Sequence, residues 1–155
     1  MLKDLDVHCQ LFVVVSDHDR ATCHRIRRAE IFEKLLPGVP YRPNDPEHEL
    51  PSNFNLLLKA DGVGIGTTRL DVRAGGIGIM RLVAIDSLSQ GQGHGRTLTE
   101  LVEEFARARG VTKVLLNALP TSVGFYTKHG YVPEVWDPSE TVGPYKDEVQ
   151  MSKVL

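Results

Sequence analysis

The sequence predicts an α/β fold: a twisted mixed sheet of about six to seven strands flanked by about four helices, in one domain. Three observations predict it. Short runs rich in apolar and β-branched residues recur between turn signals. Leu98, Leu101, Val102 and Phe105 fall at i, i+3, i+4 and i+7, the stripe of an amphipathic helix. A glycine-rich connection, Gln90–Arg96, leads from an apolar run into that helix.

The elements follow in order. Val7–Val15 reads as a first strand. Ser16 with Asp19 three residues later reads as a helix start, and that helix extends to about Leu36, where Pro37-Gly38 stops it. Gly38–Asn53 holds Pro40, Pro43, Pro46 and Pro51, so it builds neither a helix nor a central strand. A loop of this length in a small domain is a candidate lid. Phe54–Lys59 is a strand, Asp61-Gly62 a tight turn, and Val63–Val72 the returning strand, weakened at Gly64 and Gly66. After Gly75-Gly76, Ile77–Ile85 is an apolar strand suited to burial on both faces. The amphipathic helix ends at Gly110, and Val111–Ala118 is the next strand. The unit from Ile77 to Ala118 is then a parallel, right-handed crossover. Pro120–His129 is a short helix closed by Gly130, with two more strands near Tyr131–Trp136 and Asp147–Leu155.

Composition narrows the function. The chain has 155 residues, enough for one domain with a real core, here spanning residues 1–155. Its net charge of -2 lacks the basic excess of a nucleic-acid binder. No apolar run approaches the roughly 20 residues of a membrane-spanning helix. Met1–Asp6 is too acidic and broken for a signal peptide. Cys9 and Cys23 form no metal or disulfide pattern and read as two reduced thiols, consistent with a cytoplasmic protein.

The glycine loop carries the chemistry. Backbone N–H groups at a helix start, unobstructed by side chains, receive an anion, most naturally a phosphate, and Gln90 and Arg96 add donors. A P-loop needs a lysine after its glycines, and none follows. The dinucleotide fingerprint counted from Gly91 fails at Arg96. The pattern Q/R-x-x-G-x-G/A is met by Gln90, Gly93 and Gly95. Taken alone, the loop also fits a purely structural tight turn. Downstream stand Asn117 and the block Gly124-Phe-Tyr-Thr-Lys-His-Gly-Tyr131.

In these residues, and in its order of elements, the chain resembles the GNAT acyltransferase superfamily over most of its length. The resemblance implies acetyl-CoA as donor. It implies that Gln90, Gly91, Gln92, Gly93, His94, Gly95 and Arg96, between the fourth strand and third helix, hold the pyrophosphate of coenzyme A. It implies that backbone groups of Leu82, Val83 and Ala84 hold the thioester end, one N–H serving as oxyanion donor. Tyr126 matches the tyrosine that protonates the departing thiolate, and Asn117 a polar position beside the cofactor arm.

The C-terminal third is similar to the branch that contains glyphosate N-acetyltransferase. There Ile26-Arg27 and Arg81 match positions whose arginines grip a substrate's acidic groups. Leu119 and Tyr145 depart from that branch, which has an arginine and a histidine there. With a reference pKa near 10, Tyr145 is expected to position substrate rather than deprotonate it. The implied acceptor is a small amine or amino acid with an acidic group, and the implied state is a monomer or homodimer. Two other readings stay open: a coenzyme A-binding sensor without turnover, and a peptide or protein N-acetyltransferase.

The general base is not evident; Asp86, Glu134 and Glu140 are candidates. Asp45, Glu47, His48 and Glu49 read as a solvated acidic loop, without the ligand spacing of a metal site. His94 either meets phosphate or is exposed and inert. His129 reads as a helix C-terminal cap. Trp136 either lines the acceptor side or seals a sheet edge. Arg20, Arg25 and Arg28 read as a solvated basic face.

Overall fold

The computed structural model describes residues 8–155. The expected strand start at Val7 and the segment Met1–Asp6 lie outside the described residues.

The strands are β1 (Cys9–Val13), β2 (Asn53–Ala60), β3 (Val63–Arg73), β4 (Ile77–Ile85), β5 (Lys113–Ala118), β6 (Val132–Pro133) and β7 (Val149–Val154). The helices are α1 (Asp17–Arg27), α2 (His94–Arg107) and α3 (Val123–Lys128). The seven strands form one mixed sheet in the order β1-β2-β3-β4-β5-β7-β6. All neighbours are antiparallel except β4 and β5, which run parallel on either side of α2.

Local chemistry explains the boundaries. The Ser16 side chain accepts the Asp19 N–H at 3.1 Å and starts α1. Its first turn is acidic and its last turn basic, matching the helix dipole. The chain continues in a π-helical turn, Arg28–Glu33. Asp61 and Gly62 both take positive φ, 49° and 84°, the twist that matches a two-residue hairpin turn to the β2–β3 strands.

Alternation in β2 sets the two layers. Leu56 and Leu58 face α2, whose Leu98, Val102 and Ala106 are fully buried against them. Leu57 points to the opposite face, under Ile26 of α1 and beside Ala84 of β4. Each such buried leucine contributes about 1.5–3 kcal/mol relative to exposure.

Two expectations need correction. Among the described residues there are three α-helices, the first prolonged by the π-helical turn, where about four helices were expected. The strand expected over Tyr131–Trp136 shrinks to two residues, Val132–Pro133, followed by one last bond from the Glu134 N–H to the Gln150 carbonyl at 2.9 Å. Beyond it the Trp136 and Asp137 N–H groups turn to the Gln150 side chain. The proline-rich loop is ordered by a 3-10 turn, Pro46–Glu49, capped by Asp45.

Candidate active site

The site begins where β4 leaves β5. The two strands pair only from Ile77–Lys113 to Met80–Leu116. One residue later β4 carries a bulge: Arg69 faces Arg81 and Thr67 faces Ala84, so Leu82 and Val83 together oppose the single Thr68. Leu82 sits at φ 56°, the left-handed region that branched side chains rarely adopt. The bulge swings β4 away while β5 stays with β7 through Asn117–Gln150 and Ala118–Val149. Between the diverging strands opens a cavity of about 720 Å³. Met80–Val83 line one wall, and Leu116, Asn117, Leu119 and Tyr126 the other. Tyr41, Arg42 and His48 of the proline-rich loop and Glu140, Tyr145 and Glu148 of the C-terminal segment close the far end.

The glycine loop joins β4 to α2. Gly93 is the residue before the helix, at φ 82°, and no side chain caps the helix start. The first-turn N–H groups of His94, Gly95 and Arg96 therefore have no intrahelical acceptor. A Cβ on Gly91 or Gly93 would meet nothing within 4 Å, so the space over the loop is open. This is the donor set an anion needs. Glu30, buried in the π-helical turn, holds the approach to the loop: it accepts the Ser87 N–H at 3.0 Å and the Gln90 amide at 3.3 Å.

The family model of the GNAT acetyltransferases matches residues 20–131. The chain belongs to the GNAT acetyltransferase family. A Lactobacillus plantarum structure is 25% identical, with a TM-score of 0.75 over 95% of this chain and 98% of that one. The paiA N-acetyltransferase of Thermoplasma acidophilum, solved with coenzyme A, shares the fold at 17% identity, with a TM-score of 0.70 over 96% and 99% of the two chains. Glucosamine 6-phosphate N-acetyltransferase 1 of Oryza sativa subsp. japonica is 35% identical over 75 residues. That match spans 48% of this chain and 46% of the relative, so the chain covers about half of that protein's length. The GNAT family uses acetyl-CoA, and the open helix start and splayed strands present what that molecule requires: donors for a pyrophosphate and a free strand edge for its arm.

Against this GNAT frame, the expected residues separate. Tyr126, Asn117, Leu82, Val83, Arg81 and Tyr145 all line the cavity. Tyr126 is buried, and burial alone pushes its hydroxyl pKa up to about 12. Ala84 instead packs under α1, paired with Thr67. The His94 side chain is buried, its Nδ1 3.8 Å from the Cys9 sulfur, so only its backbone N–H is left to the loop. The Gln90 amide is taken by the Ile85 carbonyl and Glu30, whereas Arg96 lies exposed and meets Glu100 through Nε alone. Gln92 reaches only the Leu88 carbonyl, at 3.4 Å. The backbone N–H groups of the first helical turn remain open beside them.

The two expected substrate arginines are corrected. Arg27 is fully buried and does not reach the cavity; its Nη2 donates to the Thr68 carbonyl at 3.3 Å, and its Nε and Nη1 have no partner. Arg81 faces the cavity but is already neutralised. Its Nη1 and Nη2 fork onto Glu140 at 2.8 and 2.9 Å, and its Nε meets Asp71 at 3.0 Å. A hidden layer explains this. Asp71, with no exposure, also accepts two bonds from Arg69. Arg69 in turn donates to His48 Nδ1 at 3.0 Å, which fixes the proton of His48 on Nε2, facing the Arg42 carbonyl. His48 is thus buried structure rather than solvated loop. Burial, with Arg27 and Arg69 nearby, lowers its pKa.

The expected bases also separate. Asp86 pairs with Arg25, and Glu134 with Lys113 and Ser152, both away from the cavity. Glu140 is in it, but the Arg81 fork, with Asn117 donating at 3.0 Å, holds its pKa down. The carboxylate that sequence reading missed is Glu148. Its signal was present: Glu148, Gln150 and Ser152 share one face of the last strand by period-two alternation. Trp136 seals rather than lines, its indole N–H on the Leu116 carbonyl at 3.2 Å. His129 caps α3 as expected, with Nδ1 against the Phe125 carbonyl at 2.7 Å. Among the described residues, no group of His, Cys, Asp and Glu could hold a metal ion, and no helix is long and apolar enough to cross a membrane.

Proposed function

We propose that this chain moves the acetyl group of acetyl-CoA to the amine of a small molecule. The observation that carries the reading is the splay of β4 from β5 after Met80 and Leu116, with Tyr126 on its wall and an uncapped helix start beyond it. The backbone of Gly91–Arg96 receives the pyrophosphate. The free edge of Leu82 and Val83 takes the cofactor arm as an added strand, and one N–H there faces the oxyanion, where a preorganised donor is worth about 10²–10³ in rate. Tyr126, protonated at every physiological pH, protonates the leaving sulfur. Tyr145 orients the acceptor. Glucosamine 6-phosphate, the amine in the name of the rice relative, is the first acceptor to try.

The test is isothermal titration with acetyl-CoA and CoA on wild type and on a Gly93→Val, Gly95→Val double variant, followed by thiol release over a panel of sugar amines, amino acids and simple amines. Binding by wild type alone, with thiol release on one class of amine, supports the reading. Binding without release across the panel leaves a coenzyme A-binding module; no binding removes the reading.

A further inference from the structure

Of the two C-terminal carboxylates that line the cavity, Glu140 and Glu148, only Glu148 has no cation beside it among the described residues. Glu148 lies one step beyond the last β5–β7 pair, Ala118–Val149, level with the mouth of the splay. It directly precedes β7, and two residues on the Gln150 amide meets Asn117 on the cavity side. It is half-buried, lines the cavity, and makes no ion pair among the described residues. Its neighbours are accounted for. Arg81 is forked onto Glu140, and the remaining neighbours on the wall include Tyr126 and Tyr145. On the loop side, Glu47 and His48 lean on Arg69, Asp45 caps its own turn, and Arg42 stands exposed at the rim.

From the C-terminal segment, Glu140 and Glu148 therefore both line the cavity, Glu140 tied to its arginine and Glu148 untied. Carboxylates held in one site repel as anions, and the untied one gains most by meeting a cation or taking a proton. Burial, with Glu140 nearby, agrees: it pushes the pKa of Glu148 up to about 7, where a base works best in neutral solution.

Building on the acetyl-transfer reading, we infer that Glu148 is the general base and that the acceptor enters as an ammonium ion held against it. Arg27 does not line this end, and Arg81 is already forked onto Glu140, so neither is free here to grip an acidic group. Glu148 takes one proton from R–NH₃⁺. The amine lone pair forms the C–N bond at the thioester carbon, and the C–S bond breaks. The sulfur takes the Tyr126 proton, and the phenolate recovers the second nitrogen proton. Glu148 then releases its proton to water. The net products are the amide, the free thiol and one proton.

The experiment uses the most active amine of the panel and measures kcat/KM from pH 5.5 to 9.5 for wild type, Glu148→Gln and Glu148→Asp, with the Kd of acetyl-CoA for each. Wild type should show a limb rising through about pH 7. Glu148→Gln should keep its Kd for acetyl-CoA and melt no lower than wild type, lose about 10²–10⁴-fold in kcat at pH 7.5 and lose the limb. Glu148→Asp should recover part of the rate. An aryl amine, which arrives already deprotonated, should lose far less than an alkyl amine in Glu148→Gln. Rates within threefold of wild type across the range, or an unchanged limb, would overturn the assignment while acetyl-CoA binding leaves the acyltransfer reading standing. Absence of acetyl-CoA binding in wild type would overturn both.

Discussion

Replacing Tyr126 with phenylalanine isolates one proton. The ring is only 7% exposed and packs edge-on against Phe125 at 5.1 Å and Tyr131 at 5.5 Å. Phenylalanine keeps every one of those contacts, so stability should change by no more than about 0.5 kcal/mol. For a domain of this size that is a melting shift of about 2 °C or less. The rate should behave differently. With its pKa pushed up to about 12, the hydroxyl holds its proton throughout the assay range and is always ready to donate. Losing a general acid costs about 10²–10⁴ in kcat, or roughly 2.7–5.4 kcal/mol of barrier. The lower end applies here, because a thiolate, with a reference thiol pKa near 8.5, leaves without much help. KM for the amine and Kd for acetyl-CoA should stay within about twofold, since the hydroxyl acts in the transition state. Steady-state thiol release with a thermal melt checks all three. A fall in kcat of less than threefold at unchanged melting temperature would mean that Tyr126 only packs the cavity wall.

Three further perturbations follow from the same geometry. Gly93→Ala puts a side chain at φ 82° in open space. It should therefore cost only the conformational penalty of about 1–2 kcal/mol, together with at least a tenfold loss of CoA affinity (the tenfold being roughly 1.4 kcal/mol), read by a melt and a titration. Asp71→Asn leaves Arg69 and Arg81 without their shared buried counter-charge; about 3–5 kcal/mol should be lost, seen as a lower urea midpoint at unchanged m-value. Glu148 has a folded pKa near 7 against an ordinary 4.5, so ionising it burdens the folded state. Its stabilising contribution is whole below the unfolded value and fades as pH rises through 7. Glu148→Gln should thus melt above wild type at pH 8 and close to it at pH 5; an equal difference at both would refute the linkage.

The sequence by itself determined the frame. Period-two and period-3.6 patterns are local, so the hairpins, α2 and the β4–α2–β5 unit are legible from neighbours in the chain. The uncapped helix start is equally local, since glycines and a missing cap suffice to leave its N–H groups open. Tyr126 and Asn117 reached the cavity because the strand and helix that carry them were placed correctly.

Charge partners were not legible. Arg27 and Arg81 look alike in sequence, yet one is sealed under the sheet and the other is forked onto Glu140, 59 positions away. Whether a guanidinium is free depends on which carboxylates the fold brings within about 4 Å, and no local pattern encodes that distance. For the same reason Glu140 and Glu148, eight positions apart, part company: tertiary structure gave one an arginine and a lowered pKa, and left the other half-buried, unpaired and raised. The fold class came from short-range periodicity; the chemistry of the acceptor end came from long-range desolvation and pairing.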